Sequence, residues 1–519
     1  MNKERFGVFF FFFLLFFFFI EARIIILSLF PDEKLIKNTS NNIQRGKILD
    51  RKGVELALSK DYFSIYIRPK RLSEEKKQSI YKELSKVHFF NEEDLKNIFS
   101  EKEFVWLIRK GEKEELKYVK EWIDKLKEKK IIKNDELDVI TEKGRFYPYQ
   151  ELSLLIGNVS IDNDGIAGIE NSYNELLSQG INIELTIDKD LSIICYQELE
   201  KAIKDNLAES GSVVIIDNRT MEILSLVSYP SYNPNQRVLS PSYFYFPAVS
   251  YIFEPGSIMK VFSMAYAIDK GIVSKDKPLF YCPGEILVKD VSFRCFASHG
   301  YVSPETIIQK SCNVGMIQVA DKFKRDDFYN YLVNLGFGKE PELKIYGLEK
   351  GILRQPERWS LLSKYMISIG QEIGVTALQL AISASVIGRN GVYRKPVIVK
   401  NKNIEEINTA IIKRETAENL LQMMKKVISE EGTALSAKIE GISIAGKTGT
   451  GQIAKPTGGY YKEFYNAVFV GFLPAESPEY TILIVIHKPK AGKNTGGVVA
   501  APVFANIVRR MIISGIYLE

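Results

Sequence analysis

Glu254-Pro255-Gly256-Ser257-Ile258-Met259-Lys260 is the stretch on which the reading of this chain turns. After it, Val261, Met264, Ala265 and Ile268 keep a helical spacing that ends at Gly271. The Pro-Gly pair puts Ser257 in the first turn, and the i, i+3 spacing sets Lys260 on the same face. A lysine withdrawn from water has a lowered pKa and can take a serine proton without any histidine. Free N–H groups at the helix start suit a developing oxyanion. Alone, the S-x-x-K pattern is weak. Ser73 with Lys76, Ser79 with Lys82 and Ser274 with Lys277 also fit it, and a solvated helical face accounts for the first two.

Two further elements follow in order. Ser311-Cys312-Asn313 shares its S-x-N form with Ser172-Tyr173-Asn174 and Ser231-Tyr232-Asn233. Lys447-Thr448-Gly449-Thr450 occurs once, inside a predicted strand at 442–452. Gly449 is expected to let a substrate backbone approach closely. Residues 211–217 and 221–227 flank Asn218-Arg219-Thr220 and read as a hairpin of two buried strands. Further strands are expected at 465–472 and 480–487, and a closing helix at 500–513. The fold class is therefore α+β, with an antiparallel five-stranded sheet built from both ends of the domain. Helices flank that sheet and a helical insertion separates its two strand sets.

Composition narrows the chemistry. The 519 residues carry 70 basic and 64 acidic side chains, and a net charge of +6 is too dilute to argue for nucleic acid. Four cysteines without a C-x-x-C pair make no disulfide framework for this length. Three histidines argue against a His-rich metal site or a His-relayed triad, so neither a metal nor a cofactor is expected.

Of 31 phenylalanines, ten fall between Phe6 and Phe19. The uncharged run 6–20 rises only about 22 Å as a helix, short of a roughly 30 Å hydrocarbon core. Extended to 6–30 it is long enough, with Glu21 and Arg23 reaching the outer interface. Ile20-Glu21-Ala22-Arg23 is no small-x-small cleavage site. The expectation is an uncleaved signal anchor in the cytoplasmic membrane, with 1–5 inside and all later residues outside. Beyond it, 31–205 is expected to form a pedestal of mixed α/β structure, Lys/Glu-dense from Ser73 to Lys133, and 206–519 the catalytic domain.

The ordered set of serine-lysine, S-x-N and K-T-G belongs to penicillin-binding proteins and serine β-lactamases. The chain resembles a class B penicillin-binding protein, a monofunctional peptidoglycan D,D-transpeptidase, over nearly its whole length. Arg45-Gly46-Lys47-Ile48-Leu49-Asp50-Arg51-Lys52-Gly53 is similar to that family's N-terminal signature. So are Arg145-Phe146-Tyr147-Pro148 and Gly165-Ile166-Ala167-Gly168-Ile169-Glu170 in the pedestal, and Gly496-Gly497-Val498-Val499-Ala500-Ala501-Pro502 near the end. The stretch from Trp359 through Ser368-Ile369-Gly370-Gln371-Glu372 to Gln379 resembles the division-specific FtsI type. The family usually has proline where Ala377 stands and alanine where Gly451 stands.

The resemblance implies Ser257 as nucleophile on the penultimate D-Ala carbonyl of a stem peptide ending in D-Ala-D-Ala, and Lys260 as its base. Ser311 is implied to relay the proton to the leaving D-Ala, and Asn313 to hold the substrate amide. Lys447 is implied to supply positive potential, Thr448 and Thr450 to meet the terminal carboxylate, and β-lactams to trap Ser257. Implied partners are the cell membrane, a FtsW-type glycan polymerase and other division proteins. His299 reads as a loop residue, Cys282 and Cys295 as either a pair or free thiols, and Cys312 as packing only. Arg45 and Glu170 are expected to form a buried ion pair. A β-lactamase or sensor lacks support, since no E-x-x-L-N follows the S-x-N; a non-catalytic scaffold would not need Ser257, Lys260 and Lys447.

Overall fold

The computed structural model describes residues 44–84, 98–99, 102–236, 240, 244–400, 408–455, 457–492 and 495–516. The anchor expected at 6–30 lies outside them.

Residues 45–185 build a mixed sheet from β1 (Ile48–Leu49), β2 (Glu55–Ile67), β3 (Val105–Gly111), β4 (Leu137–Phe146) and β5 (Ile183–Glu184). Strand β2 is long enough to serve two cores. Leu56 and Ala57, near its start, join the main core of the molecule. Ile65 and Ile67, near its end, join a second core with Ile80 and Leu84 of α1 (Glu74–Leu84) and Leu116, Val119 and Ile123 of α2 (Lys113–Glu128). The apolar positions of α2 recur at i, i+3 and i+7, which gives it one buried face. Asp50 explains the N-terminal signature locally: its Oδ1 accepts from the backbone N–H of Lys52 and of Val54, both at 2.8 Å, closing the β1–β2 turn. The expected pair Arg45–Glu170 is present at 2.7 Å, and Arg145 Nε adds a second contact to Glu170 at 2.5 Å.

Helix α3 (Lys189–Asp205) is capped by Asp188, whose side chain accepts from Leu191 N–H. It buries Leu191, Ile194, Cys195, Leu199 and Ile203 against β7 and the C-terminal helix, so by contact it belongs with the catalytic sheet. That sheet runs in the order β14-β15-β16-β6-β7, where β6 is Ser210–Asp217 and β7 is Ile223–Tyr229. Strand β14 is Ala445–Ala454, β15 is Tyr460–Leu473 and β16 is Tyr480–His487, and every neighbour pair is antiparallel. All eight residues of β16 are buried, the signature of a strand covered on both faces. Between β7 and β14 lie the helices α4 (Met259–Asp269), α5 (Asn313–Asp321), α6 (Ala377–Gly388) and α7 (Arg414–Val427). The same insertion holds short ribbons: β8 (Phe280–Cys282) with β11 (Gly300–Val302), β9 (Glu285–Val288) with β10 (Val291–Arg294), and β12 (Val392–Arg394) with β13 (Asn408–Ala410).

The two faces of the sheet carry different helices. On β15, Phe504 of α8 (Ala501–Ile513) packs over Gly471, while Gly388 of α6 packs against Phe472. Adjacent strand residues point to opposite faces, so α8 and α6 lie on opposite sides. Gly496–Ile513 is apolar and long enough to cross a membrane, but 61% of it is buried and α8 packs on α3, β15 and β16. Helix α6 is buried on every side, and its three polar side chains donate to carbonyls: Gln379 to Gly336, Ser383 to Leu335 and Ser385 to Ile382. Thr376 caps α6 by accepting from Gln379 N–H, which places Ala377 at the first helical position, where the family's proline is compatible with the backbone.

Candidate active site

Strand β14 lies at the edge of the catalytic sheet and, among the described residues, pairs with β15 alone. The turn Gly256–Ile258, which leads into α4, packs directly on it. Gly256 has φ +55°, and a Cβ there would sit 2.4 Å from the Thr450 carbonyl oxygen. Gly449 is also held close by the protein itself: a Cβ there would sit 2.6 Å from the Pro255 carbonyl oxygen and 2.8 Å from Ile258. A side chain on Gly451 would meet the Glu254 carbonyl at 1.9 Å, so the departure from alanine there goes with a close seat of the serine turn on β14.

Four predicted residues meet in one hydrogen-bonded chain. Lys260 Nζ lies 2.7 Å from Ser257 Oγ, 2.9 Å from the Ser311 carbonyl and 3.2 Å from Ser311 Oγ. From the other side Lys447 Nζ reaches Ser311 Oγ at 3.1 Å and donates to the Thr448 carbonyl at 3.0 Å. Ser257 is half-buried, whereas both lysines are fully buried. Ser311 holds a left-handed backbone, φ +56°, that turns its carbonyl and its hydroxyl onto the same amine.

Burial sets the electrostatics. Loss of water pushes Lys260 down to about 8, partly opposed by the sulfurs of Cys312 and Cys295. Lys447 is driven well below the usual lysine range by burial and by the neighbouring Lys260. Two ammonium groups bridged by one serine cannot both stay charged cheaply in a dry site.

The remaining predicted residues are engaged elsewhere. Thr448 Oγ1 pairs with Thr433 Oγ1 at 2.7 Å, and Thr450 Oγ1 accepts from Gly496 N–H at 3.4 Å. Asn313 Nδ2 donates to the Arg294 carbonyl at 2.7 Å. Sequence reasoning noted Thr433, within Gly432-Thr433-Ala434, and Glu254, three residues before Ser257, but gave neither a role. It also treated Cys312 as packing and excluded a metal. The fold instead sets Cys312 with Cys282, Cys295 and His299 in one tight group beside Ser311, assembled from segments too far apart for a spacing rule to detect. The cavity of about 100 Å³ lined by Asn334, Lys339, Gln379 and Tyr393 shares no residue with the lysine cluster.

The chain matches the family model described as penicillin binding protein transpeptidase domain over residues 211–509, more than half its length, and that of the penicillin-binding protein dimerisation domain over 40–192. It is 30% identical to peptidoglycan D,D-transpeptidase FtsI of Buchnera aphidicola from Schizaphis graminum, covering 95% of this chain and 92% of the relative. To the FtsI of Escherichia coli K12 it is 29% identical, over 92% and 84% of the two chains. Its fold is similar to the crystal structure of penicillin binding protein 3 from Mycobacterium tuberculosis in complex with aztreonam, with TM-score 0.71, 23% identity, and 91% and 96% of the chains covered. A serine and a buried lysine on one helical turn, an edge strand beside them and homology along nearly the full chain make one case: the chain belongs to the class B penicillin-binding proteins, the serine D,D-transpeptidases of peptidoglycan.

Proposed function

We propose that Ser257 attacks the penultimate D-Ala carbonyl of a stem peptide ending in D-Ala-D-Ala, with Lys260 as its base. The observation that carries this reading is the 2.7 Å contact between Ser257 Oγ and a buried amine held near 8. Lys260 takes the Ser257 proton as the Oγ–carbonyl bond forms. The N–H groups of Ser257 and Thr450 receive the oxyanion. Ser311, bonded to both lysines, passes a proton to the leaving amine as the peptide C–N bond breaks. An amine from a neighbouring strand then attacks the acyl-enzyme, returns a proton along the same path and frees Ser257.

The edge of β14 left without a strand partner supports binding of the peptide as an added strand, with Thr448 and Thr450 toward the terminal carboxylate and Asn313 toward the preceding amide. Gly449 serves this by seating the serine turn on that edge. A β-lactam takes the same place and leaves Ser257 acylated. Incubating the full chain with a fluorescent penicillin tests the assignment: stable labelling of the wild type and none of Ser257→Ala is expected. Rapid turnover of the label would instead indicate a lactamase, and an unlabelled wild type a scaffold.

The cellular role rests on the FtsI-like stretch 359–379 and on the FtsI names of the relatives. It is crosslinking at the division septum, by a protein anchored through 6–30 with its N-terminus inside. The pedestal, 31–205, and the anchor stand beside a FtsW-type glycan polymerase and other division proteins, and 206–519 does the chemistry. Depletion should give filaments; round cells would assign it to elongation.

A further inference from the structure

Four potential ligands converge on the segment that carries Ser311 and Asn313. Cys282 ends β8, Cys295 follows β10, His299 precedes β11, and Cys312 is the N-cap of α5. The sulfurs of Cys282 and Cys295 are 3.7 Å apart, as are those of Cys295 and Cys312, and Cys282 Sγ is 3.5 Å from His299 Nδ1. All four ligand atoms lie within 4.8 Å of one another. A tetrahedral zinc with bonds of about 2.3 Å to thiolate and about 2.0–2.1 Å to imidazole sets sulfurs roughly 3.8 Å apart and sulfur from nitrogen roughly 3.5 Å. A disulfide needs its sulfurs at about 2.05 Å and would use only two of the three thiols.

Backbone N–H groups face two of the sulfurs. At the start of α5, Gly315 N–H donates to Cys312 Sγ at 3.2 Å and Val314 N–H to Cys295 Sγ at 3.4 Å. Cys282 and Cys312 are buried, and Cys295 and His299 half-buried. We propose that Cys282, Cys295, His299 and Cys312 bind one zinc ion as a closed structural site that holds Ser311 and Asn313 beside the two lysines. The thiols bind as thiolates, releasing their protons to solvent, and His299 binds through Nδ1 as neutral imidazole. Three soft sulfurs and an imidazole select zinc over the hard cations. Four protein ligands leave no open position, so the ion is structural and takes no part in the acyl transfer.

The mechanical consequence is local. Cys312 lies between Ser311 and Asn313, and Asn313 donates to the carbonyl of Arg294, the residue before Cys295. One ion therefore joins the β8–β11 loops to the S-x-N segment and holds Ser311 in its left-handed conformation. Zinc binding stands on the ligand geometry alone; its effect on acylation also rests on the role proposed for Ser311.

The test uses the full chain in detergent, purified with reductant and without chelator. Metal analysis should find one zinc per chain, lost in Cys295→Ser and His299→Ala and kept in Cys195→Ser, whose thiol lies in the core contacts of α3. Cobalt(II) exchanged into the wild type should show the sulfur-to-metal absorption of a tetrahedral thiolate site, a readout independent of folding in the variants. Stripping zinc should slow penicillin labelling at least ~10-fold, with recovery on adding zinc back. A protein that neither carries zinc nor takes it up, or one with a native disulfide among the three thiols, would overturn the site. Bound zinc whose removal leaves labelling unchanged would overturn the positioning role. Zinc at one per chain with no labelling at all would sink the serine assignment and leave the metal site standing.

Discussion

Lys260 has its amine fully buried, so its charge is set by the cost of desolvation more than by any partner. Held near 8, it is partly neutral at physiological pH and becomes a better base as pH rises. The acylation rate with a fluorescent penicillin should climb through about pH 8 and level off above it. Lys260→Ala should lose roughly 10²–10⁴-fold at every pH. Lys260→Arg should be as poor, because a guanidinium keeps its proton throughout. A flat wild-type profile from pH 6 to 10 would remove Lys260 as base. Glu254, on the turn before Ser257, is perturbed in the opposite sense. Burial pushes its carboxyl up to about 7, and Oε2 is buried without a partner while Oε1 accepts from Glu372 N–H and Tyr460 Oη. The folded state thus holds this proton more tightly than the unfolded chain does. The stabilisation is complete below the ordinary value of 4.5 and is lost as pH rises through about 7. Its ceiling is about 3 kcal/mol at 1.36 kcal/mol per pKa unit. Glu254→Gln should raise the Tm at pH 8.5 and leave it unchanged at pH 4, in thermal melts of the two proteins side by side.

At the scale of elements, the site is a turn pressed onto an edge strand, and Gly449 is where they touch. Adding one methyl there forces the Pro255 carbonyl or Ile258 away and moves Ser257 relative to Lys447 and Thr450. A displacement near 1 Å costs about 10²-fold when geometry is the source of rate. Gly449→Ala should therefore lose acylation on that scale, while circular dichroism and the melting curve show a folded protein; near wild-type labelling would mean the turn can slide freely. This contact also marks the limit of what the sequence displays. The strands of the catalytic sheet were legible because β6 and β16 carry the apolar runs 213–216 and 482–486, and the serine-lysine turn because Pro-Gly precedes a helical pattern. Motif order then brought Ser311 and Lys447 to it. The tenant of the space beside Gly449 was not legible, since a glycine in a strand signals only that something comes close. The Cys/His group was hidden for a related reason. Its ligands come one to a segment, and only the folding of β8 to β11 back onto the start of α5 sums them into a tetrahedron.

Over the whole molecule, the pedestal is two structures in energetic terms. Its near half, with Ile48, Leu56, Leu155, Ile169 and Ile183, shares one continuous core with the catalytic sheet; its far half, around Ile65, Leu116 and Ile123, has a core of its own. The buried carboxylate of Glu170 stands in the near half between Arg45 and Arg145, with Arg45 also donating to the Asn163 carbonyl and Asn174 Oδ1. Replacing Arg45 with alanine leaves Glu170 half-paired in a dry site, a loss of about 3–5 kcal/mol when one partner of a buried pair is removed. Because the core is continuous there, that loss should appear in the unfolding of the catalytic domain and shift the temperature at which penicillin labelling disappears. Leu116→Ala empties a comparable volume in the far core, at about 2–5 kcal/mol. Its cost should fall on the far lobe alone, so the temperature at which labelling disappears stays at the wild-type value while proteolysis within 102–136 becomes faster. Equal effects of the two substitutions on labelling would mean that the pedestal and the catalytic domain unfold as one cooperative unit, with β2 carrying the coupling through its whole length.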